Sequence, residues 1–318
     1  MNPPDLFEKY IEYDDIIDLW YSWLYSRLHL LITKEIIKKI NPKTVLDVGC
    51  GTGFQSYLHS LNGSDVIGVD SSMKMIKFAS EKGKSFRPLS KLLLFPQEFD
   101  FVGRYNKLIT FLLPKNTNSY KGPKFMVSNI HNLPFRNESF DHINCCGSVL
   151  SLVNDSEVVL KKMTGLLKFG GTMLIEVDSR WSLDTAWMLL DYFLLNKLGF
   201  QTSFKDAWKI FCTSFLKDII VNYPYGKYLG HEDKIVSVKV KLFSPYALKK
   251  NFHACDLKIL NKWNIHSVTN ILPSTILDKD HPSTIVKKLF NLLSLLEEKK
   301  PNLIPGCSQV YLLKKIRE

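Results

Sequence analysis

The stretch Val45-Leu-Asp-Val-Gly-Cys-Gly-Thr-Gly53 decides the fold: a short apolar run passes straight into glycines at 49, 51 and 53. Glycine alone lets the main chain turn so sharply and approach a ligand so closely. A helix that starts at such a turn aims its first amides at a carboxylate or a phosphate. Gly49, Cys50, Gly51, Thr52 and Gly53 are therefore the first candidate binding residues. The nicotinamide fingerprint is GxGxxG, whereas this loop is GxGxG with Asp47 just before it. An acid at that point repels a pyrophosphate. It can instead accept hydrogen bonds from the loop or meet an ammonium group, directly or through water.

Outward from the loop, Asp65-Val-Ile-Gly-Val-Asp70 reads as a second strand, with a helix-sized segment between the two. Asp70 closes that strand seventeen residues beyond Gly53. A carboxylate there can accept hydrogen bonds from both hydroxyls of a ribose, with Ser71 beside it. The alternative is that Asp70 caps the following helix, a task that Ser71 or Ser72 can also perform. More strands are expected at 124–129, 140–146, 171–177, 234–243, 257–263 and 308–315, and helices at 71–82, 155–168 and 244–252. Strands alternating with helices predict an α/β, Rossmann-like, doubly wound and mostly parallel sheet of seven strands covered on both faces.

Residues from about Asp14 to Ile40 lack glycine and proline and repeat apolar residues at helical spacing, so 1–40 is expected to be an amino-terminal helical cap. Residues 41–178 form the expected core, with an insertion at about 84–123. Residues 179–233 are a helical insertion over the substrate side, and 234–318 complete the same sheet. The two insertions exceed ordinary connections and read as lids.

The loop resembles motif I of class I S-adenosylmethionine (SAM) dependent methyltransferases, and Asp70 matches that family's acid after the second strand. Asn129-Ile-His-Asn-Leu-Pro-Phe135, followed by Phe140-Asp141 and an apolar strand, is similar to the family's adenine segment. Asn129 stands where the family has an Asp. The resemblance implies that the Asn129 amide oxygen meets the adenine amine, that Ile130 packs on the ring, and that Cys146 and Gly147 lie beside the sulfonium. It makes Asp141 part of the framework. Leu166-Leu-Lys-Phe-Gly-Gly171 resembles the family's LKPGG turn with Phe169 for proline, and 242–260 resembles the ending of the type 11, quinone-methyltransferase-like branch. Amino-terminal helices in such enzymes close over the cofactor, which makes Tyr13, Tyr21 and Arg27 candidates at its methionine end, Arg27 for the carboxylate. The expected cofactor is SAM. A general base is not obligatory for methyl transfer; His29 and His131 are the candidates if one is used.

The chain of 318 residues is 45% hydrophobic and 23% charged, the composition of a folded protein. Its net charge of +11 favours anionic partners, but only six of forty-two basic residues are arginine, and the lysines are spread out. The six cysteines lack metal or disulfide spacing, and no metal is expected. The polar, acidic amino terminus does not read as a signal peptide, and 182–200 carries Asp184, Asp191 and Lys197 inside its apolar run, so the chain is expected in the cytoplasm without a membrane span. Peripheral membrane contact is compatible with this. A small, largely apolar or aromatic acceptor is the leading expectation, with Trp181, Trp187, Phe193, Phe200, Phe204, Trp208 and Phe211 lining a greasy pocket. RNA methylation, suggested by the charge and by basic stretches at 82–91 and 102–107, is the alternative, and a noncatalytic SAM-binding protein a second one.

Overall fold

The computed structural model describes residues 20–84, 121–224, 237–277 and 283–317. Strands β1 (Thr44–Val48), β2 (Asp65–Asp70), β3 (Lys124–Val127), β4 (Phe140–Cys145), β5 (Leu167–Asp178), β8 (Leu257–Ile265) and β9 (Ser308–Lys315) form one sheet in the order β3-β2-β1-β4-β5-β9-β8. The first five run parallel, and β9 enters antiparallel between β5 and β8. This is the expected mostly parallel, seven-stranded sheet. Chain order reverses direction between β1 and β4, so the carboxyl ends of those two strands bound the crevice where doubly wound sheets take ligands.

Both faces are covered, and the strands show it by alternation. Along β5, Met173, Ile175 and Val177 join the core under α4 (Ser156–Leu166) and α7 (Pro245–Ala254), while Leu174 turns to the other face. There it meets Leu28, Ile32 and Ile36 of α1 (Trp20–Lys39) and Phe290 of α9 (Thr284–Lys299). The alternation is that of a strand packed on both sides.

Helices α2 (Phe54–Leu61) and α3 (Met73–Lys84) cross between β1, β2 and β3. Past β5 come α5 (Leu183–Phe193), α6 (Phe204–Cys212) and β6 (Ile219–Pro224). The strand expected at 234–243 forms as β7 (Ser237–Leu242), but it leaves the large sheet and pairs antiparallel with β6. The insertion thus needs part of the carboxy-terminal segment as its own second strand. Met188, Phe200, Ile210, Val221 and Val240 fill a separate small core there. A short helix α8 (Ser274–Leu277) precedes α9. Most of the insertion expected at 84–123 lies outside the described residues, as does Tyr13.

Candidate active site

The β1 loop is built by backbone that only glycine tolerates. Gly49, Gly51 and Gly53 have φ of 68°, 52° and 85°. A Cβ on Gly49 would stand 2.4 Å from Val149 Cγ2, and one on Gly53 2.7 Å from the Phe125 ring. The loop is fastened to β2, with the Gly49 and Cys50 amides donating to Val69 O at 2.8 and 3.0 Å. Asp70 then ties it to the next turn: Oδ2 accepts from Gly51 N at 3.0 Å and Oδ1 from Ser72 N at 2.9 Å. The Ser72 hydroxyl accepts from Met75 N at the start of α3, so the serine caps that helix and Asp70 holds the loop. Gly53 opens α2 in the left-handed region, and no side chain caps that helix. Thr52 is buried and Ser71 is exposed.

Asp47 is turned inward. It accepts from Ser56 Oγ at 2.6 Å and from Asn144 Nδ2 at 2.8 Å, and burial pushes its carboxyl up to about 6. With both oxygens bound by α2 and β4, it braces the loop from below; the expected contact with a cofactor ammonium does not suit a carboxylate so enclosed. Asn144 also accepts from Cys146 Sγ at 3.2 Å, which chains the β1 and β4 ends together.

After β4 the chain takes two left-handed residues, Gly147 (φ 73°) and Ser148 (φ 55°). Two acids of β5 hold this turn. Glu176 accepts from Gly147 N at 2.7 Å and from the Tyr25 hydroxyl at 2.7 Å, with His29 Nε2 at 3.2 Å. Burial raises the Glu176 pKa, but the His29 charge and the hydrogen bonds from His29, Tyr25 and Gly147 outweigh it and hold the carboxyl below its ordinary range. Two residues on, Asp178 accepts from Ser148 Oγ at 2.8 Å, and burial pushes it up to about 7. Cys146 Sγ, a His29 ring nitrogen and a Glu176 oxygen lie within 4.8 Å of one another. Burial and the nearby Glu176 charge keep that thiol well above its ordinary pKa, so among these three it stands as a protonated donor.

The other sequence candidates divide. His29 is fully buried with Nδ1 2.8 Å from Gln55 Nε2 and Nε2 facing Glu176, so it orients that acid and presents no ring nitrogen outward. His131 likewise lies between Asn129 Oδ1 at 2.8 Å and Asp155 Oδ1 at 2.6 Å. It braces the turn and is poorly placed as a base. Asn129 Oδ1 also accepts from His131 N at 2.9 Å, so the oxygen expected to meet an adenine amine is engaged within the chain. Ile130 packs half-buried against the sheet core. Arg27 does not reach toward the loop as a lone cation: buried itself, its Nε donates to Oε1 of the half-buried Glu298 and its Nη2 to Oε2 at 2.9 Å. Tyr21 lies on α1, but its side chain is outside the described set. Asp141 is framework as expected, accepting from Thr44 N, Thr44 Oγ1 and Lys168 Nζ.

Sequence reading missed Tyr25, Asn144, Glu176 and Asp178. A signal existed: two acids two apart in the apolar run Leu174-Ile-Glu-Val-Asp178 share one face of a strand, and carboxylates inside a buried strand need partners. The greasy pocket also changes. Phe200 is buried and Trp187 half-buried, while Trp181, Phe193, Phe204, Trp208 and Phe211 are exposed.

The residues fit a nucleoside cofactor: the glycine turn at 49–53 leaves β1 at the sheet's crevice and opens a helix that no side chain caps, and Asp70 stands half-buried at the end of the neighbouring strand. The chain spans 58% of the length of a demethylmenaquinone methyltransferase of Thermotoga maritima, to which it is 24% identical over 172 residues, 54% of this chain. Among solved structures, a chain of the complex between the Trm112 methyltransferase activator and a methyltransferase of Haloferax volcanii is similar at a TM-score of 0.51 and 13% identity, covering 99% of this chain and 98% of that one. The PH0226 protein of Pyrococcus horikoshii OT3 is similar at 0.50 and 14%, covering 92% and 90%. These likenesses show the fold. A model of the methyltransferase domain matches residues 22–211, most of the chain. With the glycine loop and the sheet order, that match makes the chain a member of the SAM-dependent methyltransferase domain family.

Proposed function

We propose that this enzyme methylates a small, largely apolar acceptor that carries an ionisable group. The observation that carries this reading is the acidic end of β5 under an apolar roof. Asp178 lies between Glu176 and, at the start of α5, Asp184; burial first, then the charges of these two neighbours, raise its carboxyl pKa. The roof is the small core of Met188, Phe200, Ile219 and Val221, against which Leu152, just past β4, packs. An acidic strand end disfavours a polyanion such as RNA, whereas a phenol, hydroquinone or amine is drawn in. The relative named for demethylmenaquinone supports the same class.

SAM supplies the methyl group from its sulfonium. The chain's part is to hold and orient. In this reading the 49–53 backbone and the uncapped start of α2 receive the methionine portion, Asp70 the ribose, and Asn129 and Ile130 the adenine. Cys146 and Gly147 border the sulfonium. Asp178, with its carboxyl raised by burial into the neutral range, takes a proton from the acceptor, because a base works best when its pKa lies near the working pH. Glu176 fixes the Gly147 turn, and Tyr25 and His29 fix Glu176.

The test is transfer of labelled methyl from SAM into a cell extract separated into organic-soluble and RNA fractions. Label in the organic fraction, lost with Asp178→Asn, is the expected result. Label in nuclease-sensitive material would replace this acceptor class with RNA. SAM binding without transfer to either fraction would favour a noncatalytic role.

A further inference from the structure

The insertion after β5 exposes the residues that soluble surfaces avoid. On α6, Phe204, Trp208 and Phe211 fall at i, i+4 and i+7 on one helix face, and Phe211 is 73% exposed. The face continues into Phe215 and Leu216 beyond the helix, and into Phe193, Leu194 and Leu195 at the end of α5, Leu195 being 83% exposed. A ring contact joins the two helices, Tyr192 to Phe204, and another runs along α6 from Phe204 to Trp208, each at 6.1 Å between centroids.

These side chains are held out by built structure. Asp191, fully buried, accepts from the amides of Leu198, Phe200 and Gln201 at 2.6, 2.9 and 3.0 Å, which fixes the loop that displays Leu194 and Leu195. That loop holds Leu195, Asn196 and Gln201 at positive φ. Arg180, buried beneath α6, donates to the carbonyls of Ser214 and Lys217 at 2.6 Å and also to that of Thr213, gathering the chain that carries Phe215. Non-glycine residues in the left-handed region and a buried guanidinium are costly ways to present apolar surface unless that surface has a use.

Its charges say what the use is. Residues 181–217 contain three acids, Asp184, Asp191 and Asp206, and all three are buried. The lysines of the same stretch are 197, 205, 209 and 217; Lys197, Lys205 and Lys217 are exposed. Asp218, the next acid, pairs with Lys241 at 3.5 Å. Within 181–217, therefore, the charges exposed beside these aromatic and aliphatic groups are lysines. That combination matches the interfacial zone of an anionic bilayer, where aromatic rings sit at headgroup depth and lysines meet lipid phosphates.

We propose that the α5–α6 face docks this enzyme on anionic membrane surfaces. It lies on the lid that follows directly from Asp178, so docking presents the acceptor site to compounds dissolved in the bilayer. That last consequence rests on the apolar-acceptor reading; the docking does not.

The experiment is cosedimentation of the purified full chain with vesicles of phosphatidylcholine alone and of phosphatidylcholine mixed with phosphatidylglycerol. Binding to the mixed vesicles, weakened by salt, is expected. Replacing Phe204, Trp208 and Phe211 together by serine should lower the partition at least about tenfold, given the apolar area three rings bury. Lys205→Glu with Lys217→Glu should weaken it on mixed vesicles only. Retained SAM binding by both variants shows that they are folded. No binding to either vesicle overturns the proposal. So does a serine variant that sediments like the parent, or a chain that elutes as a dimer and becomes monomeric on that substitution while ignoring vesicles; the face would then belong to a second copy. Vesicle binding with label only in RNA would leave the docking face standing and remove the acceptor reading.

Discussion

The β1–β4 end of the sheet and the α5–α6 insertion use the same device for opposite purposes. Each pins irregular backbone with carboxylates. In the core, Asp70 gathers the amides of Gly51 and Ser72 and Asp47 gathers Ser56 and Asn144, so that the glycine loop, with Cys50 and Thr52 buried, is held at the end of β1. In the insertion, Asp191 gathers three amides of residues 198–201, and what is left facing outward is a row of large apolar side chains. One arrangement makes room for a ligand; the other makes a surface. The difference lies in what the pinned backbone carries.

Substitution should separate the two regions. The largest effect is expected from Gly49→Val, since a side chain there meets Val149 and the residue has positive φ. Measurable SAM binding should vanish in titration calorimetry, and stability should fall by about 2–4 kcal/mol. A variant that binds SAM like the parent would break the assignment of the loop. Asp191→Ala leaves three amides without their acceptor, that of Phe200 buried, and should cost about 2–3 kcal/mol in chemical denaturation. Its SAM affinity should change by less than about twofold, because the insertion and the glycine loop are separately pinned.

Asp178→Asn sharpens the comparison through pH. The native carboxyl titrates near 7 against an ordinary 3.8, so between those values the folded chain holds a proton that the unfolded chain has lost. Native stability therefore declines as pH rises through that window, and the variant, which has no such group, should gain thermal stability over the parent as pH goes from about 4 to about 7. Parallel melting curves across that range would remove Asp178 as a group with a raised pKa. The smallest effect belongs to Trp208→Ser: an exposed aromatic lacking a packed partner core should change stability by less than about 0.5 kcal/mol.

What was legible in the sequence follows the range of the interactions. The glycine loop, Asp70 and the strands flanking them announce themselves within a few residues, because local turn chemistry and period-two burial dictate them. Partners distant in the chain leave no such trace. Arg27 is bound by Glu298, 271 positions away, and Asp47 by Asn144, 97 away; a cation and an acid near a ligand loop read alike whether free or bound. The aromatic run of the insertion was visible as apolar at helical spacing, but spacing cannot say which stripe of a short helix faces in. Burial of Asp206 with Ala207 and Ile210 answers that for α6. β6 escaped because Asp218-Ile-Ile-Val-Asn-Tyr-Pro224 finds its partner strand only after the intervening residues 225–236.

The account stands most directly on one measurement, calorimetric titration of SAM into the parent chain and into Asp70→Ala, with circular dichroism to show that both are folded. Saturable binding at one site by the parent, weakened at least about tenfold in the variant by loss of the ribose contact and of the Gly51 brace, is the predicted result. Equal affinity in the two proteins would contradict it and move the cofactor away from the ends of β1 and β2.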